Sequence, residues 1–162
     1  QLHYNTVPVQ NYYTVQIRDN ILYTPSNKMV MKWFAGSKNS YKKAVPVITG
    51  PERGWYSASW REFGNFQLME DLEPPGITPL GFTNGMNTAR LKKISFAVKD
   101  NTEEIEKFTG LLDGKWILFS NDKGRVFVYE FDEQCGPGEH ELKLMAEDQV
   151  GNITEETYRF TR

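Results

Sequence analysis

Apolar residues at every second position dominate the C-terminal half of the chain. Ile94, Phe96 and Val98 alternate with Ser95, Ala97 and Lys99. Leu142, Leu144 and Ala146 share one face before the turn Asp148-Gln149-Val150-Gly151-Asn152, and Tyr158 and Phe160 share one face after it. A period of two is the mark of a half-buried strand, because successive side chains point to opposite faces of a sheet. The run from Gly138 to Arg162 therefore reads as the closing hairpin of an antiparallel sandwich.

Tight turns place further strands. Asp113-Gly114 separates Ile105–Leu112 from Lys115–Phe119, and a primed hairpin turn needs positive φ at both of its central residues. Asn121-Asp122-Lys123-Gly124 then leads into Arg125–Phe131, with Gly124 suited to the left-handed position. Together these runs predict a three-stranded meander. With an opening strand at Ile77–Phe82, the strand around Phe96 and the closing hairpin, the count is the seven strands of an immunoglobulin-like sandwich. The competing helix signal is Asp100–Phe108, where Asn101 or Thr102 could cap a helix with acids behind it. Gly110 and the Asp-Gly turn leave room for a loop with at most one helical turn.

The first half carries shorter candidate strands at Tyr12–Arg18, Ile21–Tyr23, Met29–Phe34, Val45–Ile48, Trp55–Ser59 and Asn65–Met69. Asp19-Asn20 suits a tight hairpin, and Thr24-Pro25-Ser26-Asn27 is turn chemistry. The boundary lies at Asp71-Leu72-Glu73-Pro74-Pro75-Gly76, where two prolines remove backbone donors and hold the preceding residues extended. The chain is thus expected to be all-β, two small β domains in tandem: residues 1–73 a sandwich- or barrel-like module, residues 74–162 an immunoglobulin-like sandwich. A domain of the first size is small for a self-standing core, so it is expected to pack against something else.

Composition agrees with strands, since ten Phe, eight Tyr and four Trp in 162 residues is a high aromatic content. The net charge of −2 gives no broad basic footprint, which argues against nucleic acid or an anionic membrane as partner. No apolar stretch is long enough to span a bilayer, and no signal peptide is visible, although a mature exported protein would also lack one. Cys135, the single cysteine, sits in a loop sequence without a neighbouring base, which excludes an intrachain disulfide and a thiolate metal cluster.

Catalytic chemistry finds little support. A zinc hydrolase needs several converging ligands, and the chain has two histidines: His3 near one end and His140 at the start of a strand, where a solvated or hydrogen-bonded histidine is the ordinary reading. Neither a Gly-x-Ser-x-Gly elbow nor a phosphate loop occurs. Carboxylates cluster at Glu103-Glu104, at Glu130, Asp132 and Glu133, and at Glu155-Glu156, but nothing pairs them across a cleft. The chain is expected to be non-enzymatic and to need no cofactor. Asp100, Asn101, Asp148 and Asn152 occupy turns that could meet at one sandwich end, giving two readings: oxygen ligands for calcium, or turn-stabilising side chains.

The first half is rich in rings. In Trp33-Phe34 and Trp55-Tyr56 one member of each pair must point away from the local core. Trp33, Trp55, Tyr56 and Trp60 therefore have two readings, core or interface packing and a platform for sugar or peptide. In the second half Phe127, Tyr129 and Phe131 share one face and Val126 and Val128 the other, which predicts a sheet covered on both sides, one of them possible for the first domain.

Several motifs occur in a telling order. Gly114-Lys115-Trp116, Asn121-Asp122-Lys123, Tyr129-Glu130-Phe131-Asp132, Gly138-Glu139-His140-Glu141-Leu142 and Asp148-x-x-Gly151-Asn152 through Phe160-Thr161-Arg162 resemble the C-terminal immunoglobulin-like region of exported LytM/lysostaphin-type zinc metallopeptidases of Bacteroidetes. Upstream, Trp60-Arg61-Glu62-Phe63-Gly64-Asn65-Phe66, Asp71 and Pro74-Pro75-Gly76-Ile77 look like the preceding β module of those proteins. The zinc patterns His-x-x-x-Asp and His-x-His of that family are absent, so no zinc ligand carries over. The resemblance implies a non-catalytic accessory module in an extracytoplasmic setting, supporting or positioning a cell-wall peptidase. Its partners would be peptidoglycan or another envelope glycan or peptide, and a peptidase domain of the same full-length protein. The alternative is a free-standing carbohydrate- or peptide-binding module using the first-half aromatics.

Overall fold

The computed structural model describes residues 9–19, 26–47, 54–122 and 125–162. His3, the strand expected at Ile21–Tyr23, Ile48, and parts of the Asp19-to-Asn27 and Asn121-to-Gly124 turns lie outside these residues. The chain divides into two compact units, Gln1–Leu72 and Glu73–Arg162. Both are all-β, and each is described by itself.

In the first unit the strands are β1 (Tyr13–Arg18), β2 (Met29–Ala35), β3 (Lys38–Lys43), β4 (Val45–Val47), β5 (Trp55–Trp60) and β6 (Asn65–Glu70). They form two antiparallel three-stranded sheets, ordered β1-β5-β4 and β3-β2-β6. Tyr56, Ala58 and Trp60 from the first sheet meet Met29, Met31 and Trp33 from the second in a shared core. Pro46 is tolerated because β4 is an edge strand, where a missing amide donor breaks no ladder. The polar strand β3 was not foreseen. It pairs with β2 from Ala35↔Lys38 onward across a two-residue turn in which Gly36 takes a φ of 61°.

The second unit contains β7 (Gly76–Leu80), β8 (Lys93–Lys99), β9 (Ile105–Leu112), β10 (Lys115–Ile117), β11 (Ser120–Asp122), β12 (Val126–Glu130), β13 (Glu139–Asp148) and β14 (Ile153–Thr161). Two four-stranded sheets, β10-β9-β13-β14 and β11-β12-β8-β7, make an immunoglobulin-like sandwich. Phe82 sits at its centre, with its ring 5.7 Å from those of Phe96, Tyr158 and Phe160. Such edge-to-face pairs contribute beyond the area they bury. The Asp113-Gly114 turn has positive φ at both residues, 49° and 79°, as the hairpin requires.

The expected meander does not form. The run Lys115–Phe119 is divided, because β10 pairs with β9 in one sheet and β11 pairs with β12 in the other. Ile117 and Phe119 both pack on the core while Leu118 is exposed, so the chain crosses from sheet to sheet between them. This crossing makes eight strands where seven were expected. Phe127 and Tyr129 are buried, whereas Val126 and Val128 on the opposite face are half-buried. Glu73 and Pro75, at the boundary, are tied to the closing hairpin: their carbonyls accept hydrogen bonds from the Asn152 amide at 3.5 Å and the Thr154 hydroxyl at 2.5 Å.

Candidate functional site

Three of the four rings considered as a ligand platform belong to the core. Trp60 is 0% exposed, Tyr56 2% and Trp33 8%. Tyr56 is fixed further by its hydroxyl, which accepts the Ser26 amide at 2.7 Å. Buried faces cannot stack on a ligand, so the platform reading is corrected for Trp33, Tyr56 and Trp60. Trp55 differs. It is half-buried and lies on the outer face of β5, flanked across the sheet by Arg18 and Val47.

At the closing turn, Asp148 Oδ1 accepts the amides of Val150 and Asn152 at 2.9 and 2.8 Å, and its Oδ2 accepts the Asn152 side-chain amide at 2.7 Å. Asp100 Oδ2 accepts both the amide and the hydroxyl of Thr102, and Asn101 donates to Glu73 Oε2 at 3.4 Å. Carboxylate oxygens of Asp100 and Asp148 approach within 4.8 Å of each other, so the structure does bring these two turns together. The bonds within each turn give Asp100, Asp148 and Asn152 a turn-stabilising use, whereas the Asn101 bond leaves its turn for Glu73. Replacing Asp148 by Ala strands two buried amides and is expected to cost about 1–3 kcal/mol, read from urea unfolding.

His140 is a clamp. Its Nδ1 lies 2.7 Å from Asp113 Oδ2 and its Nε2 2.7 Å from the Gly136 carbonyl, two groups that can only accept, so the geometry suits the doubly protonated ring. Burial disfavours that charge, but Asp113 and Gly136 outweigh it and raise the His140 pKa above its ordinary value. Burial likewise opposes the charge on Asp113, yet the Glu141 amide and the His140 ring hold its carboxyl below its ordinary value. The His140 contribution is fully present below 6.5 and fades as pH rises through the raised value; that of Asp113 is fully present above 3.8 and fades as pH falls through the lowered one. Thermal melts of the wild type across this range should therefore show a stability maximum that flattens in His140→Gln. Cys135 is buried, and burial pushes its thiol up to about 11, which keeps it protonated and a poor nucleophile.

No protein-family model matches the chain, and neither does any curated protein sequence. Solved structures give distant likenesses. Fibronectin(III)-like modules of Clostridium thermocellum CbhA match over 91% of this chain and 84% of theirs, at 14% identity and a TM-score of 0.40. The endo-beta-1,4-mannanase from Thermotoga petrophila matches 57% of this chain at 17% identity and a TM-score of 0.45; the match spans 20% of the mannanase. The SrpA adhesin from Streptococcus sanguinis matches 56% of this chain and 58% of its own, at 18% identity and a TM-score of 0.42. The strand order β10-β9-β13-β14 facing β11-β12-β8-β7 defines the fold of the second unit.

One exposed surface escaped the sequence reading. Trp116 is 59% exposed and stands on the outer face of the β10-β9-β13-β14 sheet, opposite Leu111, which in turn is opposite Lys143. Beside it Leu111 and Met145, with Thr109 and Thr157 and the charged Lys143, Glu155 and Glu156, line a shallow groove of about 320 Å³. The signal was local: Ile117 points inward, so strand alternation turns Trp116 outward.

Proposed function

We propose that this chain is a non-catalytic accessory module that supports or positions an exported cell-wall metallopeptidase acting on peptidoglycan. The observation that carries the reading is the use to which the family-like residues are put. His140, Asp148 and Asn152 spend their polar atoms on turns and loop clamps of the immunoglobulin-like unit, His140 against Asp113 and Gly136. The Trp116 face supplies a surface of the sort that seats a neighbouring domain. An extracytoplasmic setting in a Gram-negative envelope follows from the same reading.

The test joins this chain to a LytM-type zinc domain and compares the fusion with the zinc domain alone. Hydrolysis of a small soluble peptide should be equal for both, whereas intact sacculi should be digested faster by the fusion. Equal rates on both substrates would sink the positioning role. The second reading, a free-standing glycan- or peptide-binding module, is favoured by one observation: Trp55 lies on an outer sheet face. It requires Trp55→Ala to abolish retention on a glycan or peptide column without altering the melting curve.

A further inference from the structure

We propose that the open N-terminal part of the β14 edge is a strand-addition site for an extended, basic peptide segment of a partner protein. Backbone direction decides what this edge offers. Gly138 and Arg162 exchange both of their backbone hydrogen bonds, at 2.9 and 2.8 Å, which sets the alternation along the antiparallel pair. The even-numbered residues of β14 bond to β13, and the odd-numbered Ile153, Glu155, Thr157, Arg159 and Thr161 turn their N–H and C=O groups the other way. That way is outward, because β14 is the last strand of its sheet, at the opposite edge from β10.

Part of that edge is already covered. The Gly85 amide donates to the Arg159 carbonyl at 2.6 Å, and Asn84 Oδ1 accepts the Arg159 amide at 2.6 Å. The Thr161 amide donates to the Met86 carbonyl at 3.1 Å, and the Thr161 carbonyl accepts the Thr88 amide at 2.8 Å. The covering loop stops there. Among the described residues no hydrogen bond reaches the outward N–H and C=O groups of Ile153, Glu155 and Thr157, and all three residues are exposed. A row of open donors and acceptors is the template that an added strand needs, and backbone pairing of this kind gives affinity without a deep pocket.

Side chains select the partner. Glu155, opposite Met145, stands on the outer face, and Glu156, opposite Leu144, stands at the rim of the inner one; both are exposed. Carboxylates therefore flank the open amides on both sides. The neighbouring cations are engaged elsewhere: Lys143, across from Thr157, and Arg159, two residues on, both pair with Glu141, at 3.4 and 3.0 Å. Among the described residues no ion pair involves Glu155 or Glu156. Residues 73–162 carry sixteen Asp and Glu against eleven Lys and Arg, so the field of the whole unit has the same sign. Like charges across a strand pair repel and opposite charges attract, so these acids turn away a second β14 edge and favour a strand with lysine or arginine at two consecutive positions. This edge needs neither a peptidase nor peptidoglycan, so its failure and that of the accessory-module reading are distinguishable.

Amide hydrogen exchange of the full chain, followed residue by residue with the blocked peptide Thr-Val-Lys-Lys-Val-Thr, tests it. At millimolar peptide, exchange at Glu155 and Thr157 should slow at least about tenfold, whereas the amides of Arg159 and Thr161, already bonded, should change little. The same peptide with its backbone amides N-methylated keeps its charge but cannot pair, and should give no protection; nor should the peptide with glutamate in place of lysine. Glu155→Gln combined with Glu156→Gln should weaken binding of the lysine peptide at least about threefold. Unchanged exchange at Glu155 and Thr157 would overturn the proposal, as would equal protection by the methylated or the glutamate peptide, or equal affinity of the double variant. Protection that grows with protein concentration alone would place a second copy at the edge and overturn the basic partner. Should the double variant fail to fold, the three peptides on the wild type decide.

Discussion

Trp60→Ala is expected to destabilise the first unit by about 3–5 kcal/mol, the usual cost of deleting a large buried ring. Trp60 is fully buried, its ring centre 5.4 Å from that of Phe66 and its face under the Lys42 ammonium. The change therefore opens a cavity and removes the surface on which a cation rests. Urea unfolding followed by amide signals of β1, β5 and β6 measures it, with Trp55→Ala as the comparison. Trp55 lies half-buried on the opposite face of the same strand, so its truncation should cost about 1 kcal/mol or less. Equal costs for the two would remove the distinction between core and surface rings.

Truncation after Pro137 should unfold the second unit altogether. It removes β13, which pairs with β9 on one side and β14 on the other, and with it the buried side chains of Leu142, Leu144 and Ala146. The lost strands would leave β9 with an unpaired edge and the facing sheet with an uncovered core. Near-UV dichroism from Phe96, Tyr129 and the rings around them should vanish. A truncated chain that kept this signal and its melting transition would contradict the sandwich assignment.

Alternation made the second unit legible. At β8, β13 and β14 one face is mainly apolar and the other mainly polar, and the Asp113-Gly114 turn fixed a register that the structure reproduces as Leu112↔Lys115. The sheet crossing at Leu118 was hidden because Ile117 and Phe119 look like neighbours in one strand; only packing against two sheets separates them. β3 escaped because Lys38-Asn39-Ser40-Tyr41-Lys42-Lys43 has no apolar face to mark its period. The rings show the same limit. Trp55-Tyr56-Ser57-Ala58-Ser59-Trp60 carries a tryptophan on each face, and pairing, not composition, decides that Trp60 turns inward and Trp55 outward. Trp116 turns outward because Ile117, its neighbour in the three-residue strand β10, turns inward, and that direction is set by packing against the core.

The accessory-module account is tested most directly by sedimentation of the purified full chain with peptidoglycan sacculi in zinc-containing buffer, followed by analysis of the supernatant for released peptides. The account expects the chain in the pellet and no released peptides. A chain that stays in the supernatant, or one that liberates peptides from sacculi in a chelator-sensitive manner, would contradict it.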